Sequence, residues 1–343
     1  MVKRKKARSA RGHKKRLVLA TAAVCLCGVL AAAGLMYRNQ RKQMQMQVSA
    51  ANSHDTGSGY RDIIYEGKHY RYNSLIKTVL YAGVDGTGKM EASAQYGNKD
   101  RADTISLVVL DKKHAKMTIL PISRDTMTEI RRYSMSGNDN GLYTSHIGYA
   151  YSYGDGGKAS CENLCEAVSN LLGGVPVKEY VVTNQDSMPY INDLAGGITL
   201  TVPNDDLSGQ YPELTKGAKV TLNDGNIRAY LQYRDTEEDF SNDGRMERQK
   251  AYVTAYIEKI QQMDSSELAD TWEALDDMEE YLQTSITRSE YLDLMELVRT
   301  AGFSDESFAA IAGEDQQGEL HDEFHPDEEA LEKLVIELFY NEV

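Results

Sequence analysis

Short apolar runs alternate with amphipathic segments along most of the chain, and turn-forming residues close each run. Runs rich in β-branched residues predict strands, and segments with apolar positions three or four apart predict helices. The predicted strands are Thr78–Val84, Thr104–Leu110, Met117–Ile122, Tyr180–Thr183 and Ile198–Val202. The predicted helices are Lys158–Leu172, Met188–Leu194 and Asp243 to about Met263, followed by further acidic helices.

The order of these elements sets the fold class. The polar link Asp111–His114 joins the second and third strands and predicts a hairpin. Glycine pairs close the first two helices, as is common where a helix ends. Because strands and helices alternate, we expect an α/β fold with a mixed central β-sheet covered by helices on both faces.

An apolar segment near the N-terminus predicts a transmembrane helix. Leu17–Met36 is twenty residues without a charge, enough to cross a hydrocarbon core of about 30 Å, and Tyr37 follows. Nine Lys or Arg precede it, so the N-terminus should stay in the cytoplasm and residues 38–343 should lie outside. The expected location is the cell membrane, single-pass type II, with an extracellular C-terminal domain.

A cleaved signal peptide is the alternative, since Ala31–Ala33 offers small residues near its end. The apolar stretch is longer than the roughly 7–15 residues of a signal peptide core, which favours retention. In both cases the folded part is exported. The expected divisions are a basic cytoplasmic tip (1–16), a transmembrane helix (17–37), a flexible stalk (38–76), a main domain (77–263) and an acidic helical extension (264–343).

Charge is distributed unevenly. The net charge is −14, yet residues 264–343 alone hold 24 acidic and three basic residues. Nucleic-acid binding needs clustered Lys and Arg to neutralise phosphates, so we expect no nucleic-acid partner. Outside the apolar segment the only cysteines are Cys161 and Cys165, four apart in a predicted helix, and no disulfide is indicated.

Two motifs resemble known sites without completing them. Gly83–Lys89 (GVDGTGK) matches the start of a phosphate-binding loop, but Met90 stands where a Ser or Thr must bind Mg²⁺. His321–His325 (HDEFH) places its Glu one position away from the zinc-protease pattern, and Pro326 follows. We expect an ordinary loop at the first motif and a solvated loop at the second.

Three charged segments at strand or helix ends form a more coherent set. They are Asp85 with Arg101–Thr104, then Ser123–Thr126, then Arg234 with Asn242–Gln249. Carboxylates at the ends of adjacent strands can share a hard cation such as Mg²⁺. Arg245, Arg248 and Gln249 lie three or four apart on a predicted helix and can face one site. Guanidinium groups bind two phosphate oxygens at once, so the set suits a diphosphate ester.

The order of these segments resembles the LytR-CpsA-Psr family of Gram-positive cell-envelope proteins. The resemblance also includes Gly83–Asp85, His146–Tyr153 (HIGYAYSY) and Asp193–Val202 (DLAGGITLTV), and it runs in outline from about Lys77 to the C-terminus. It implies a metal-dependent phosphotransferase whose catalytic domain is residues 77–263. Such an enzyme moves a glycopolymer from undecaprenyl pyrophosphate to the muramic acid C6 hydroxyl of peptidoglycan and forms a phosphodiester.

The resemblance also implies roles for single residues. Asp85 and Asp103 would bind Mg²⁺ or Mn²⁺. The pyrophosphate would be held by Arg101, Arg124, Arg234, Arg245, Arg248 and Gln249, with Arg248 included for its helical spacing. From the chemistry of phosphoryl transfer, we expect Arg124 and Arg245 also to be catalytic and Asp125 or Asp243 to orient or deprotonate the acceptor hydroxyl. The expected partners are the lipid-linked glycopolymer, peptidoglycan and the cell membrane.

Departures from the family pattern keep a second function open. Gln232 stands where an arginine is usual, Gly86 stands where an arginine often follows the first Asp, and Ser123 precedes Arg124 in place of proline. Gln232 and Gly86 favour the alternative, a non-catalytic binder of polyprenyl-linked precursors that regulates wall synthesis or autolysis. Direct transcriptional control is not expected, because a tip of sixteen residues has no room for a helix-turn-helix.

Overall fold

The computed structural model describes residues 62–97, 100–233, 241–318 and 321–343, leaving aside the side chains of 241–243. The strands are β1 (Asp62–Tyr65), β2 (Lys68–Tyr72), β3 (Ile76–Val84), β4 (Ala102–Asp111), β5 (Lys116–Ile122), β6 (Met127–Tyr133), β7 (Asp139–His146), β8 (Glu179–Thr183), β9 (Thr199–Thr201), β10 (Lys219–Thr221), β11 (Leu282–Thr284), β12 (Gly313–Gln317), β13 (Asp322–Pro326) and β14 (Tyr340–Glu342). The helices are α1 (Tyr149–Ser152), α2 (Lys158–Leu171), α3 (Met188–Leu194), α4 (Ile227–Gln232), α5 (Ser241–Gln262), α6 (Ser265–Ala274), α7 (Arg288–Thr300) and α8 (Glu328–Phe339), with 3₁₀ turns at Gln185–Ser187, Leu275–Tyr281 and Asp305–Ser307.

The central sheet has the strand order β11-β8-β3-β4-β5. Strand β3 runs parallel to β8 and antiparallel to β4, and β4 and β5 form the predicted hairpin. A mixed sheet accompanied by helices confirms the α/β class. Helix α2 ends at Leu171, one residue before the predicted end, and is followed by Gly173 and Gly174, both of which have positive φ.

The alternation of buried and exposed residues along the strands shows which face of the sheet packs in the hydrophobic core. Every second residue of β3 is buried, and Leu80 and Ala82 are fully excluded from solvent. Leu110, Met117 and Ile119 of the β4–β5 hairpin form a core cluster with Ile257 of α5, against which residues of α7 also pack. This cluster lies at the β4–β5 turn, where Leu110 pairs with Lys77 near the start of β3, while the opposite end of the sheet, where Val84 pairs with Ala102, holds the charged residues.

The structure corrects two of the expected divisions. Residues 62–76, expected in the flexible stalk, form β1, β2 and the start of β3. The acidic segment is not wholly helical and does not form a separate extension, because residues 264–340 belong to the same compact unit as 75–263. Its strand β11 pairs with β8 and completes the central sheet.

A second, small unit comprises the described residues up to Ser74 with Asn341–Val343, and its sheet has the order β1-β2-β14. The predicted tip, the transmembrane helix and stalk residues 38–61 lie outside the described residues. In the part of the chain that is described, no helix combines the length and apolarity needed to cross a membrane.

Candidate anion-binding site

Asp85 immediately follows β3 and is fixed against the residue that precedes β4. Its Oδ1 accepts the backbone N–H of Arg101 at 2.7 Å, and its Oδ2 lies 3.4 Å from the Arg101 Nε. The Arg101 guanidinium also lies over the Tyr149 ring, 5.8 Å from the ring centroid. A hydrogen bond with Tyr149, followed by the charge of Asp85, raises the pKa of Arg101, so this guanidinium stays cationic.

A β-bulge turns Asp103 outward at the start of β4. Gly83 pairs with Thr104 but the next residue, Val84, pairs with Ala102, so Asp103 is the extra residue. Strict alternation from Ile105 would put Asp103 on the buried face. The bulge instead buries Ala102 and leaves the Asp103 carboxylate exposed at the sheet edge.

Arg124 and Asp125 leave the end of β5, next to the start of β4 in the sheet. The Arg124 Nη1 donates to Asp103 Oδ1 at 2.6 Å, and its Nε lies 3.6 Å from Asp125 Oδ1. Partial burial acts to lower the pKa of Arg124, but the hydrogen bond and charge of Asp103 outweigh it, and the net shift is upward. The cation therefore persists between two carboxylates.

Gly148 joins the two strand ends through its backbone. Its N–H donates to the carbonyl of Arg124 at 3.0 Å, and its carbonyl accepts the N–H of Ala102 at 3.1 Å. A Cβ at this position would lie 2.8 Å from the Ala102 carbonyl oxygen and 3.2 Å from the Arg124 Cβ. The glycine allows the turn between β7 and α1 to approach both site segments closely.

These segments surround a cavity of about 300 Å³. Its lining residues are Arg101, Ala102, Asp103, Arg124, Asp125, His146, Gly148, Tyr149, His321 and Asp322. The structure thus brings together four of the residues that the sequence singled out, Arg101, Asp103, Arg124 and Asp125. Asp85 contacts Arg101 but does not line the cavity. Two cationic guanidinium groups facing one cavity can bind the oxygens of a phosphate ester.

The structure corrects the expectation for Arg248. This side chain is fully buried, and its Nε donates to the Tyr230 carbonyl at 2.9 Å. Its Nη atoms donate to the Tyr233 carbonyl, to Asn204 Oδ1 and to the Asp206 carboxylate. Because these groups occupy the guanidinium, Arg248 joins α5 to α4 and to the 204–206 loop and does not present its charge to a ligand.

Two neighbouring residues of α5, Arg245 and Gln249, do not line the described cavity. Gln249 donates its amide to the Leu231 carbonyl at 3.0 Å, so Arg248 and Gln249 together satisfy carbonyls at the C-terminal end of α4. Arg245 is on the same helix and does not line the cavity. Arg234 and the side chain of Asp243 lie outside the described residues.

Sequence reasoning assigned no role to six lining residues, of which four have polar or aromatic side chains: His146, Tyr149, His321 and Asp322. His146 and Tyr149 belong to the HIGYAYSY segment, and the resemblance of this segment to the family motif was the sequence signal that could have identified them. His321 and Asp322 belong to the HDEFH segment, which is strand β13 with its preceding residue and not the expected solvated loop. It is a strand because it pairs with β12 over five residue pairs, from Gly313 to Gln317.

The loop that resembles a phosphate-binding motif is used internally, as expected. The Gly88 N–H donates to the Asp186 carboxylate at 2.8 Å, and Asn184 donates to the Gly88 carbonyl. Lys89 contacts Glu280 through an ion pair. Residues 90–97 contain no helix, so the helix N-terminus that such a loop needs is missing from this part of the described chain.

The carboxylates at this sheet edge could supply some of the oxygen ligands that a hard cation needs. Asp85 and Asp103 supply carboxylate oxygens, the ligands that Mg²⁺ prefers. Among the described residues, no three His, Cys, Asp or Glu side chains converge as a metal cage. Mg²⁺ is usually held by one or two carboxylates together with substrate phosphates, and this pair fits that pattern.

The LytR_cpsA_psr family model matches residues 38–338. The chain belongs to the LytR-CpsA-Psr family. Among its relatives is the polyisoprenyl-teichoic acid–peptidoglycan teichoic acid transferase TagV of Bacillus subtilis, 30% identical over 75% of this chain and 62% of that protein. Biofilm regulatory protein A of Streptococcus mutans is 25% identical over 61% of this chain and 48% of that protein. The chain thus spans about half to three fifths of these two relatives.

Solved structures agree with the fold of this family member. The crystal structure of B. subtilis TagV has a TM-score of 0.57 and 27% identity, covering 77% of this chain and 95% of that one. The structure of TagT bound to LIIa-WTA has a TM-score of 0.58 and 20% identity, covering 77% of this chain and 89% of that one. The second likeness supports the fold alone.

Proposed function

We propose that this protein transfers a glycopolymer of the teichoic acid type from undecaprenyl pyrophosphate to the muramic acid C6 hydroxyl of peptidoglycan. The observation that carries the proposal is the cavity in which Arg101 and Arg124 lie beside Asp103 and Asp125. A diphosphate ester matches two persistent guanidinium cations. The names of the TagV and TagU relatives, which specify teichoic acid transfer to peptidoglycan, support the same substrates.

In this reaction the acceptor hydroxyl oxygen forms a bond to the phosphorus next to the glycopolymer. The bond from that phosphorus to the bridging oxygen breaks, and polyprenyl phosphate leaves with the electron pair. Arg101 and Arg124 bind the phosphate oxygens and stabilise the charge that develops on the leaving group. Asp125 orients the hydroxyl or accepts its proton. Arg245 and Asp243, from the start of α5, are proposed to assist them, as is Arg234.

A divalent cation is part of the proposal. Asp85 and Asp103 would hold Mg²⁺ or Mn²⁺, and the cation would neutralise phosphate charge. The chemistry of the two carboxylates and their position at one sheet edge support this assignment. Asp85 has a second role in the described structure, since it fixes the backbone of Arg101.

We also propose that the domain works outside the cell, anchored by residues 17–37. The uncharged apolar run and the nine basic residues before it support this orientation. The acceptor, peptidoglycan, is on that side of the membrane.

The test uses the full chain, a polyprenyl-pyrophosphate glycan and a peptidoglycan oligomer, with and without Mg²⁺. We expect polyprenyl phosphate and the linked product only when Mg²⁺ is present, and neither from the Asp103→Ala variant. The matched control is Asp305→Ala, which removes an exposed carboxylate whose partner is Lys250. Equal turnover by wild type after complete metal removal would contradict the metal site, and no turnover by wild type would contradict the transferase.

A regulatory binder of the same lipid is the second candidate. Gln232, at the end of α4, removes a charge that the family usually has, and one relative is named as a biofilm regulatory protein. A binder gives saturable lipid binding without product in the assay above. Restoring the charge with Gln232→Arg would then be the first change to make.

A further inference from the structure

The hairpin β12–β13 is attached directly to the site segment that follows β5. The Phe324 N–H donates to the Asp125 carbonyl at 2.9 Å, and Phe324 forms a β-bridge with Thr126. These contacts join positions about two hundred residues apart in the sequence. They hold His321 and Asp322, at the start of β13, in the wall of the cavity.

His146 provides a second attachment and has a defined tautomer. Its Nε2 lies 3.0 Å from the Asp322 carbonyl oxygen. Because a carbonyl can only accept, Nε2 must carry the proton, and Nδ1 is the acceptor atom whenever the ring is neutral. The His146 ring also contacts Tyr149 and His321 edge to face, with centroids 5.6 and 6.2 Å apart. The three rings therefore form one aromatic group.

The cavity has two chemically different sets of lining groups. Arg101 and Arg124 are cations with donors for phosphate oxygens, and the carboxylates beside them, Asp103 and Asp125, each contact Arg124. His321, Asp322, His146 and Tyr149 offer ring surfaces, an imidazole acceptor and a carboxylate, and Tyr149 joins this set to the first because it contacts both His146 and Arg101. A carboxylate repels a phosphate but accepts a hydrogen bond from a hydroxyl. The second set, which we call the hairpin wall, suits a sugar ring that carries free hydroxyl groups.

We propose that the hairpin wall binds the acceptor sugar and brings its hydroxyl to the phosphate held by Arg101 and Arg124. This inference rests on the proposed function and adds the place of the second substrate. His321 and Asp322 bind the sugar, and His146 positions them through the Asp322 carbonyl. Asp125 lies where the two sets meet, because its carbonyl holds the hairpin while its side chain contacts Arg124.

The test measures the two substrates separately by calorimetric titration of the full chain. The acceptor probe is a muramic-acid-containing oligosaccharide, and the donor probes are polyprenyl pyrophosphate with and without its glycan. We expect His321→Ala and Asp322→Asn each to raise the acceptor Kd by about five- to tenfold, and to leave both donor Kd values within about twofold. His325→Ala is the matched control, since this imidazole lies on the same strand but bonds Glu323 and does not line the cavity.

Three results would overturn the proposal. Unchanged acceptor binding in both variants would mean that the hairpin wall does not touch the sugar. Equal weakening of acceptor and both donors would mean that the hairpin only shapes the anion side. Weakening confined to the glycan-bearing donor would assign the wall to the donor sugar. Failure of the proposed function is a separate result, because wild type would then give no linked product in the turnover assay while the acceptor titration still tests the wall.

Discussion

Arg124 Nη1 donates to Asp103 Oδ1 over 2.6 Å, linking the residue that leaves β5 to the bulged residue that enters β4. The ion pair joins the ends of two neighbouring strands at one edge of the central sheet. Both side chains remain about 40% exposed, so the pair faces the cavity while it orients the cation. A phosphate entering the cavity meets a guanidinium whose position is already defined.

Replacing Arg124 by alanine should abolish transfer with little effect on folding. The change removes a cation from the cavity, and loss of one such preorganised group typically costs about a hundred- to a thousandfold in rate. Product formation and thermal unfolding are measured on the same preparation. The control is Arg132→Ala, whose guanidinium lies over Tyr143 and does not line the cavity. Equal activity of both variants and wild type would remove Arg124 from the mechanism.

Gly148→Ala should lower both stability and activity. The new Cβ would lie 2.8 Å from the Ala102 carbonyl oxygen, so the backbone that holds Arg124 must move. We expect a loss of about 1–3 kcal/mol in the free energy of unfolding, measured by urea titration. Gly209→Ala is the control, because nothing lies within 4 Å of the corresponding Cβ. A stable and fully active Gly148→Ala variant would contradict the close approach.

Arg248→Met should destabilise the fold by about 2–4 kcal/mol. The change leaves the carbonyls of Tyr230 and Tyr233 and the Asp206 carboxylate without their buried donor. Arg299→Met is the matched control, since Arg299 forms only a partly exposed ion pair with Glu296, and less than about 1 kcal/mol is expected there. Both values come from chemical denaturation. If Arg248→Met were as stable as wild type but no longer bound pyrophosphate, this result would support the ligand-binding role that the sequence predicted for Arg248.

Asp186→Asn should show a pH-dependent loss of stability. The Gly88 N–H and then the Arg228 guanidinium lower the pKa of Asp186 below its ordinary 3.8. The stabilisation is therefore complete above the unfolded pKa and is lost as pH falls through the lower folded value. At pH 7 we expect the variant to be less stable by about 1 kcal/mol, and the difference to shrink below pH 4. Denaturant titrations from pH 7 to pH 2 measure this, and a constant difference would contradict the assignment.

Local sequence signals determined the main elements of this protein. Apolar runs rich in β-branched residues predicted β3, β4, β5 and β8, and the glycine pair predicted the end of α2 at Leu172, one residue beyond its end at Leu171. Charged residues at the strand ends also placed part of the predicted set together, because neighbouring antiparallel strands bring Asp85, Asp103 and Arg124 to one edge. Such signals extend over only a few neighbouring residues, so they can be recognised in a single sequence.

Contacts between segments that are distant in the sequence determined the features that the sequence did not predict. The outward position of Asp103 depends on a register shift against Val84, and the burial of Arg248 depends on carbonyls of α4 that only packing brings near. The same holds for β11 and for the β12–β13 hairpin, whose acidic sequence alone indicated solvated helix or loop. Their strands form because partners such as β8 and Asp125 supply backbone hydrogen bonds. The sequence alone therefore predicts where the strands end and which charged residues lie there. Pairing between distant strands determines which of those charged side chains face the cavity.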